Sequence, residues 1–153
     1  MKIFKALVSV CIGLAITLVF ATVNSYIVVI GEWYNSLVLP IFAPTPTQII
    51  ICWSIIYFVS TIQYAVIVYQ GKAISDLLFN AAKGLLQTIW CVVFFRAHLL
   101  AWSFVISIIL LLYAVVWNGI FVKKYRTVLL GSLYEVAWYT VVCALCFGIL
   151  MAN

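Results

Sequence analysis

Charge is what this chain of 153 residues has least of. Only Glu32, Asp76 and Glu135 are acidic, and with eight Lys and Arg the charged fraction is 7% against 69% hydrophobic, too little to clothe a water-soluble domain of this length. Proline is confined to one stretch, at Pro40, Pro44 and Pro46, so the rest of the chain carries no strong helix breaker. Histidine occurs once, as His98, without a recognisable triad partner, and reads as a surface residue. Seven scattered Gly make no phosphate cradle or Walker-type loop, which leaves ATP-driven work without a site. Of the five Cys, Cys143-x-x-Cys146 supplies only two metal ligands, one short of a three-ligand zinc site, and the thiols read as small packing residues. Period-two alternation is also missing, which excludes a transmembrane barrel and leaves helices as the only backbone that hydrocarbon admits.

What remains is apolar length. Segments at Ala6 to Val29, Thr47 to Tyr69, Leu77 to Phe95, Leu100 to Val122 and Thr127 to Leu150 each approach the ~20 residues that cross a bilayer. The expected fold is an all-α membrane protein, one five-transmembrane-helix bundle over residues 1–153. Met1 to Phe20, with Lys2 and Lys5 ahead of an apolar run, resembles a signal peptide, but no Ala-x-Ala-like site follows and the run is long, so the first span is expected to stay. Lys2, Lys5, Lys72, Lys123, Lys124 and Arg126 fall on one side of these spans and only Arg96 on the other, which predicts a cytoplasmic N-terminus. The basic residues are thus topology markers, and no nucleic-acid partner is expected. The connection Ile30 to Pro46, holding every proline, is expected to be a semi-rigid lid across one mouth of the bundle.

Polar residues inside the spans mark an interior. Asn80, Lys83, Gln87 and Trp90 recur at three- and four-residue steps and share one face of the third span. A lysine there costs at least ~2.5 kcal/mol if it meets lipid, so it points inward or snorkels to the interface. Glu135 on the fifth span, on a face with Trp138, Val142 and Cys146, lies at a similar depth, about 9 to 12 Å at 1.5 Å per residue, and is the available partner. The expectation is that Lys83 and Glu135 line or close the inner end of an amphiphilic pocket. Of the Trp and Tyr residues, Trp102, Trp117, Tyr69 and Tyr125 read as interfacial anchors. Trp53, Trp90 and Trp138 lie deeper, where an indole suits either core packing or stacking on a planar apolar ligand. Gly84 and Thr88 form a small-xxx-small step that suits self-association or packing within one bundle.

The run Trp33-Tyr34, Leu37, Pro40, Phe42, Pro44, Trp53 and Tyr57 resembles, without a gap, the translocator protein family, also called tryptophan-rich sensory proteins or TspO/MBR. Gln87, Trp90, Phe94 and Phe95 are similar to that family's Asn-x-x-Trp and Phe-Phe pair, and Ala137-Trp138 and Leu145 to its last helix. The chain departs from the pattern at Phe42, Ile50-Ile51, Gln87, Cys91-Val92, Tyr134-Glu135 and Cys146. The resemblance implies a divergent membrane receptor, sensor or translocator that binds porphyrin-like or sterol-like ligands inside the bundle. It places Trp33, Trp53, Tyr57, Lys83, Gln87, Trp90, Phe94, Glu135, Trp138 and Cys146 at the candidate pocket. No catalytic residue and no required cofactor are expected, a tetrapyrrole being a ligand; the other partners are sterol or lipid and, as in related proteins, a second copy. The alternatives are an enzyme that degrades a bound porphyrin and a ligand-free assembly partner.

Overall fold

A computed structural model describes residues 1–71, 74–126 and 129–153; Lys72 and Thr127, invoked above as a charge marker and a span boundary, lie outside them. The described residues form six helices and no strand: α1 (Lys2–Ile27), α2 (Glu32–Ser36), α3 (Pro46–Gln70), α4 (Ile74–Phe95), α5 (Leu100–Tyr125) and α6 (Leu129–Ala152). All but α2 are long and apolar enough to cross a membrane, and they match the five expected segments to within a few residues. Hydrocarbon offers a backbone N–H no partner outside the chain, so each apolar run closes its own hydrogen bonds. The ends are set by local chemistry. Thr45 caps α3 in a reciprocal box with Gln48, with Pro46 in the first turn where its missing N–H costs nothing, and Gly71 ends it in the left-handed conformation at φ 62°.

The five long helices close into a ring in which α1 touches α3 and α4, α3 touches α6, α6 touches α5, and α5 touches α4, with a further contact between α3 and α4. Neighbouring ends identify the two mouths. The Lys5 ammonium sits 5.3 Å over the Tyr69 ring, joining the start of α1 to the end of α3, and Lys124 pairs with Asp76, joining the end of α5 to the start of α4. This end also carries Lys2, Lys123 and Arg126 and is called the basic end. At the opposite end Arg96 donates to the Tyr26 carbonyl.

The connection between α1 and α3 crosses that opposite mouth. It begins with the helical turn α2, where no proline interferes, leaves the helix at Leu37, and bends again in a turn at Ile41–Phe42, where the Ala43 N–H donates to the Pro40 carbonyl at 2.8 Å. Tyr34 on α2 is buried against Phe94 and Phe95. The Asn153 side chain exchanges two hydrogen bonds with the Val38 backbone, and Pro40 packs so closely on α6 that a Cβ on Gly148 would lie 3.0 Å from its ring.

Membrane helices of this kind bury what is small or polar and turn large apolar side chains outward. On α1 the buried positions are Ser9, Gly13, Thr17 and Asn24, a stripe at near-fourfold spacing, while Phe4, Leu7, Leu18 and Val19 are exposed. The Gly84–Thr88 step is taken up within the bundle, since Gly84 lies beneath the Phe20 ring of α1. Two expected anchors are corrected. Trp117 and Tyr125 are buried with Ile67 and Phe121 in a small cluster near the basic end, because the Trp117 indole donates to Asn80 Oδ1 and the Tyr125 hydroxyl to Asp76. Trp102, 62% exposed, and Tyr69 face outward as expected.

At Gly13 the approach is closest, for an added Cβ would come within 2.6 Å of the Thr61 carbonyl oxygen. Gly13→Leu is therefore expected to push α1 off α3 and lower stability by about 1–3 kcal/mol, read as a fall in thermal midpoint in detergent. Gly119→Ala, where nothing lies within 4 Å, is the control and should not lower it.

Candidate functional site

The ring interior is layered. Beneath the connection lies an aromatic layer, in which Trp53 of α3 sits 6.1 Å from Trp90 of α4 and 5.9 Å, edge-on, from Trp138 of α6. Phe94 stacks on Trp90 at 5.4 Å with an interplanar angle of 11°. These rings, with Tyr34 and Pro44 above, enclose a cavity of about 20 Å³, room for roughly one water molecule. Two of its linings carry buried donors without a partner among the described residues, Tyr34 Oη and Trp138 Nε1, and Trp90 Nε1 has only the weakly accepting Cys146 thiol beside it. Burial in this apolar layer also pushes the Tyr34 phenol up from its ordinary pKa.

Two ring contacts extend the layer to the surface. Trp33 on α2 meets Phe94 edge-on at 5.3 Å and stacks on His98 at 4.0 Å, so His98, exposed and held at φ 57°, props the outer edge of the connection. On the other flank a groove of about 170 Å³ opens between α1 and α3, with Asn24, Ile49, Trp53 and Tyr57 along it. Ile49 and Trp53 border both spaces, and they are the wall between the groove and the enclosed cavity.

Below the rings comes a hydrogen-bonded belt. Tyr57 accepts from Asn24 Nδ2 at 2.9 Å and from Gln87 Nε2 at 3.1 Å, while the Tyr139 hydroxyl donates to Gln87 Oε1 at 3.3 Å. The belt ties α1, α3, α4 and α6 at one level. One layer further toward the basic end, Lys83 Nζ donates to both Glu135 oxygens, at 2.6 and 2.8 Å, and to Gln63 Oε1 at 2.8 Å. Glu135 Oε2 also accepts from Gln63 Nε2 at 3.1 Å and Asn118 Nδ2 at 2.9 Å. Lys83 is 2% exposed, so it does not snorkel, and the expected pair with Glu135 forms.

Of the ten residues singled out in the sequence, Trp53, Trp90, Phe94 and Trp138 line the enclosed cavity, Cys146 backs Trp90, and Trp33 stands at the rim. Tyr57 and Gln87 form the belt beneath, and Lys83 and Glu135 lie deeper still. All three ammonium donors of Lys83 are engaged by the chain itself, so this lysine offers no free cation to a ligand in this conformation. Sequence reasoning passed over Gln63, Asn118, Asn24 and Tyr139. The first three carried a signal, a strong hydrogen-bonding side chain within an otherwise apolar span, which hydrocarbon forces inward.

Removing one partner of such a buried pair strands the other. Lys83→Met is expected to cost about 3–5 kcal/mol in detergent unfolding, and the double substitution Lys83→Met with Glu135→Leu to recover more than half of that loss. Additive losses would show that the two residues do not act as a pair.

Comparison with known proteins follows the same outline. None of the curated proteins matches the chain. The model of the TspO/MBR family matches residues 7–152, leaving out only the first six residues and the last one. A match of that extent takes in every spanning helix and the connection over the aromatic layer, and the chain, a multi-pass integral membrane protein, belongs to the TspO/MBR family.

Proposed function

We propose that the chain is a membrane receptor, sensor or translocator for porphyrin-like or sterol-like molecules, acting as one domain, with the ligand held among Trp53, Trp90, Phe94 and Trp138 beneath the connection. Family membership supports the coarser role of a membrane sensor or translocator. The observation that carries the finer reading is the pair of buried donors, Tyr34 Oη and Trp138 Nε1, on the wall of one aromatic cavity. A hydrogen-bonding group left unpaired in an apolar interior is costly, and an amphiphile with a ring system and an oxygen acceptor would satisfy both the ring faces and the donors.

A cavity of 20 Å³ is a closed state. Drug-sized ligands occupy roughly 300–1,000 Å³, so binding requires the Ile49–Trp53 wall to move, joining the cavity to the 170 Å³ groove between α1 and α3, and the aromatic layer to spread further around the guest. That groove opens sideways, a direction that suits a ligand dissolved in the bilayer. Tyr57 and Gln87 would meet the ligand's lower edge, Trp33 and Cys146 would support the rings, and the Lys83–Glu135 pair would serve as a fixed floor. In this reading the basic end faces the cytoplasm, as the Lys and Arg count predicts, and a second copy would pack on the outside of the ring.

Titrating the detergent-purified chain with protoporphyrin and, separately, with a sterol should give saturable quenching or shift of tryptophan fluorescence. Trp138→Phe, which keeps a ring and removes the donor, should weaken the ligand that carries the acceptor about fivefold, the worth of a hydrogen bond of about 1 kcal/mol. Absence of saturable binding for either class would remove the reading. An unchanged porphyrin spectrum in the dark and under light would separate binding from turnover.

A further inference from the structure

A second space lies on the outside of the ring, remote from the aromatic cavity. Between α1 and α3, toward the basic end, runs an open groove of about 310 Å³. Ala6, Ser9 and Ala65 make its bed, and Val10, Phe58 and Tyr69 rise beside it, the last three exposed to the surroundings of the bundle. The Ser and Thr hydroxyls that line it are both satisfied within their own helices, Ser9 Oγ donating to the Lys5 carbonyl at 2.8 Å and Thr61 Oγ1 to the Tyr57 carbonyl at 3.0 Å. Nothing in the bed asks for a polar guest, and in a bilayer its neighbour is hydrocarbon.

The end of the groove is of opposite character. Lys5 holds its ammonium over the Tyr69 ring at 5.3 Å, and Lys2 lies one turn earlier on the same helix. Neither lysine is paired with a carboxylate among the described residues, for Asp76 is held by Lys124 and Tyr125, Glu135 by Lys83, and Glu32 lies on α2 at the opposite mouth. An apolar slot ending in unpaired cations at membrane-surface depth complements a molecule with a hydrocarbon tail and an anionic head.

We propose that this groove seats one acyl chain of an anionic phospholipid, with Lys5 and Lys2 holding its phosphate. Zwitterionic lipid offers the same tail without net charge, so the lysines supply the preference. A basic residue near an anionic membrane surface contributes on the order of 1 kcal/mol, which converts to about fivefold in retention for each lysine.

The test is native mass spectrometry of the full chain in detergent, titrated with phosphatidylglycerol or with phosphatidylcholine of identical acyl chains. One phosphatidylglycerol should be retained at least about fivefold more strongly than phosphatidylcholine. Lys5→Gln should lower that preference about fivefold, the share of one lysine, while leaving phosphatidylcholine retention in place, and Ala6→Phe, which fills the bed, should reduce both. A thermal midpoint for each variant establishes that it is folded, and should Ala6→Phe not fold, the surface substitution Lys5→Gln decides alone. Equal retention of the two lipids by the unaltered chain, or a preference that Lys5→Gln leaves undiminished, would overturn the proposal. A change from dimer to monomer on Ala6→Phe without loss of lipid would assign the groove to a second copy and would overturn it too.

Discussion

In hydrocarbon no solvent molecule can complete a hydrogen bond, and the arrangement of this ring follows from how its polar side chains complete one another. Lys83 and Glu135 are central to that requirement. One comes from α4 and the other from α6, and the pair is saturated by Gln63 of α3 and Asn118 of α5, so a single cluster joins four of the five spanning helices. Each member would be costly alone, and together they leave little freedom in the rotation of the helices that carry them. Isosteric apolar residues could fill the same volume, but they would define the relative rotation of the helices less sharply, since apolar side chains slide against each other and against lipid with little penalty.

From that cluster outward the interior becomes softer. The belt of Tyr57, Gln87, Tyr139 and Asn24 is still hydrogen bonded across helices, whereas the layer above it consists of rings in van der Waals contact with two donors left over. A braced base with a deformable aromatic top is suited to opening at one end. Ring contacts can be exchanged for a ligand's ring contacts at small net cost, while the Lys83–Glu135 cluster could not open without exposing charge to hydrocarbon.

The connection over the mouth shows how a loop is held without a cap of its own. Tyr34 is its buried anchor, Asn153 lends it a two-way backbone pairing, Pro40 rests on Gly148, and the Trp33 stack on His98 secures its outer edge. Three of these four ties are to α6 or to the α4–α5 turn, so displacement of α6 by a ligand against Trp138 would be felt by the connection directly. The covering segment and the Trp138 wall are in this sense one mechanical unit.

The scarcity of charge and the length of the apolar runs already determined that five helices cross a membrane, because a backbone in hydrocarbon has no other way to pair its groups. The three- and four-residue spacing of Asn80, Lys83, Gln87 and Trp90 likewise determined which face of α4 looks inward, and the depth of Glu135 made it a partner. Spacing could not show that Gln63 and Asn118 would saturate that pair, nor that Trp117 and Tyr125 would turn in to Asn80 and Asp76 rather than anchor at the interface. Those outcomes depend on which helices stand side by side, and periodicity reports the rotation of one helix about its own axis but not the identity of its neighbour. The ring order, set by close approaches such as Gly13 on Thr61 and Gly84 on Phe20, was decided only in the tertiary structure.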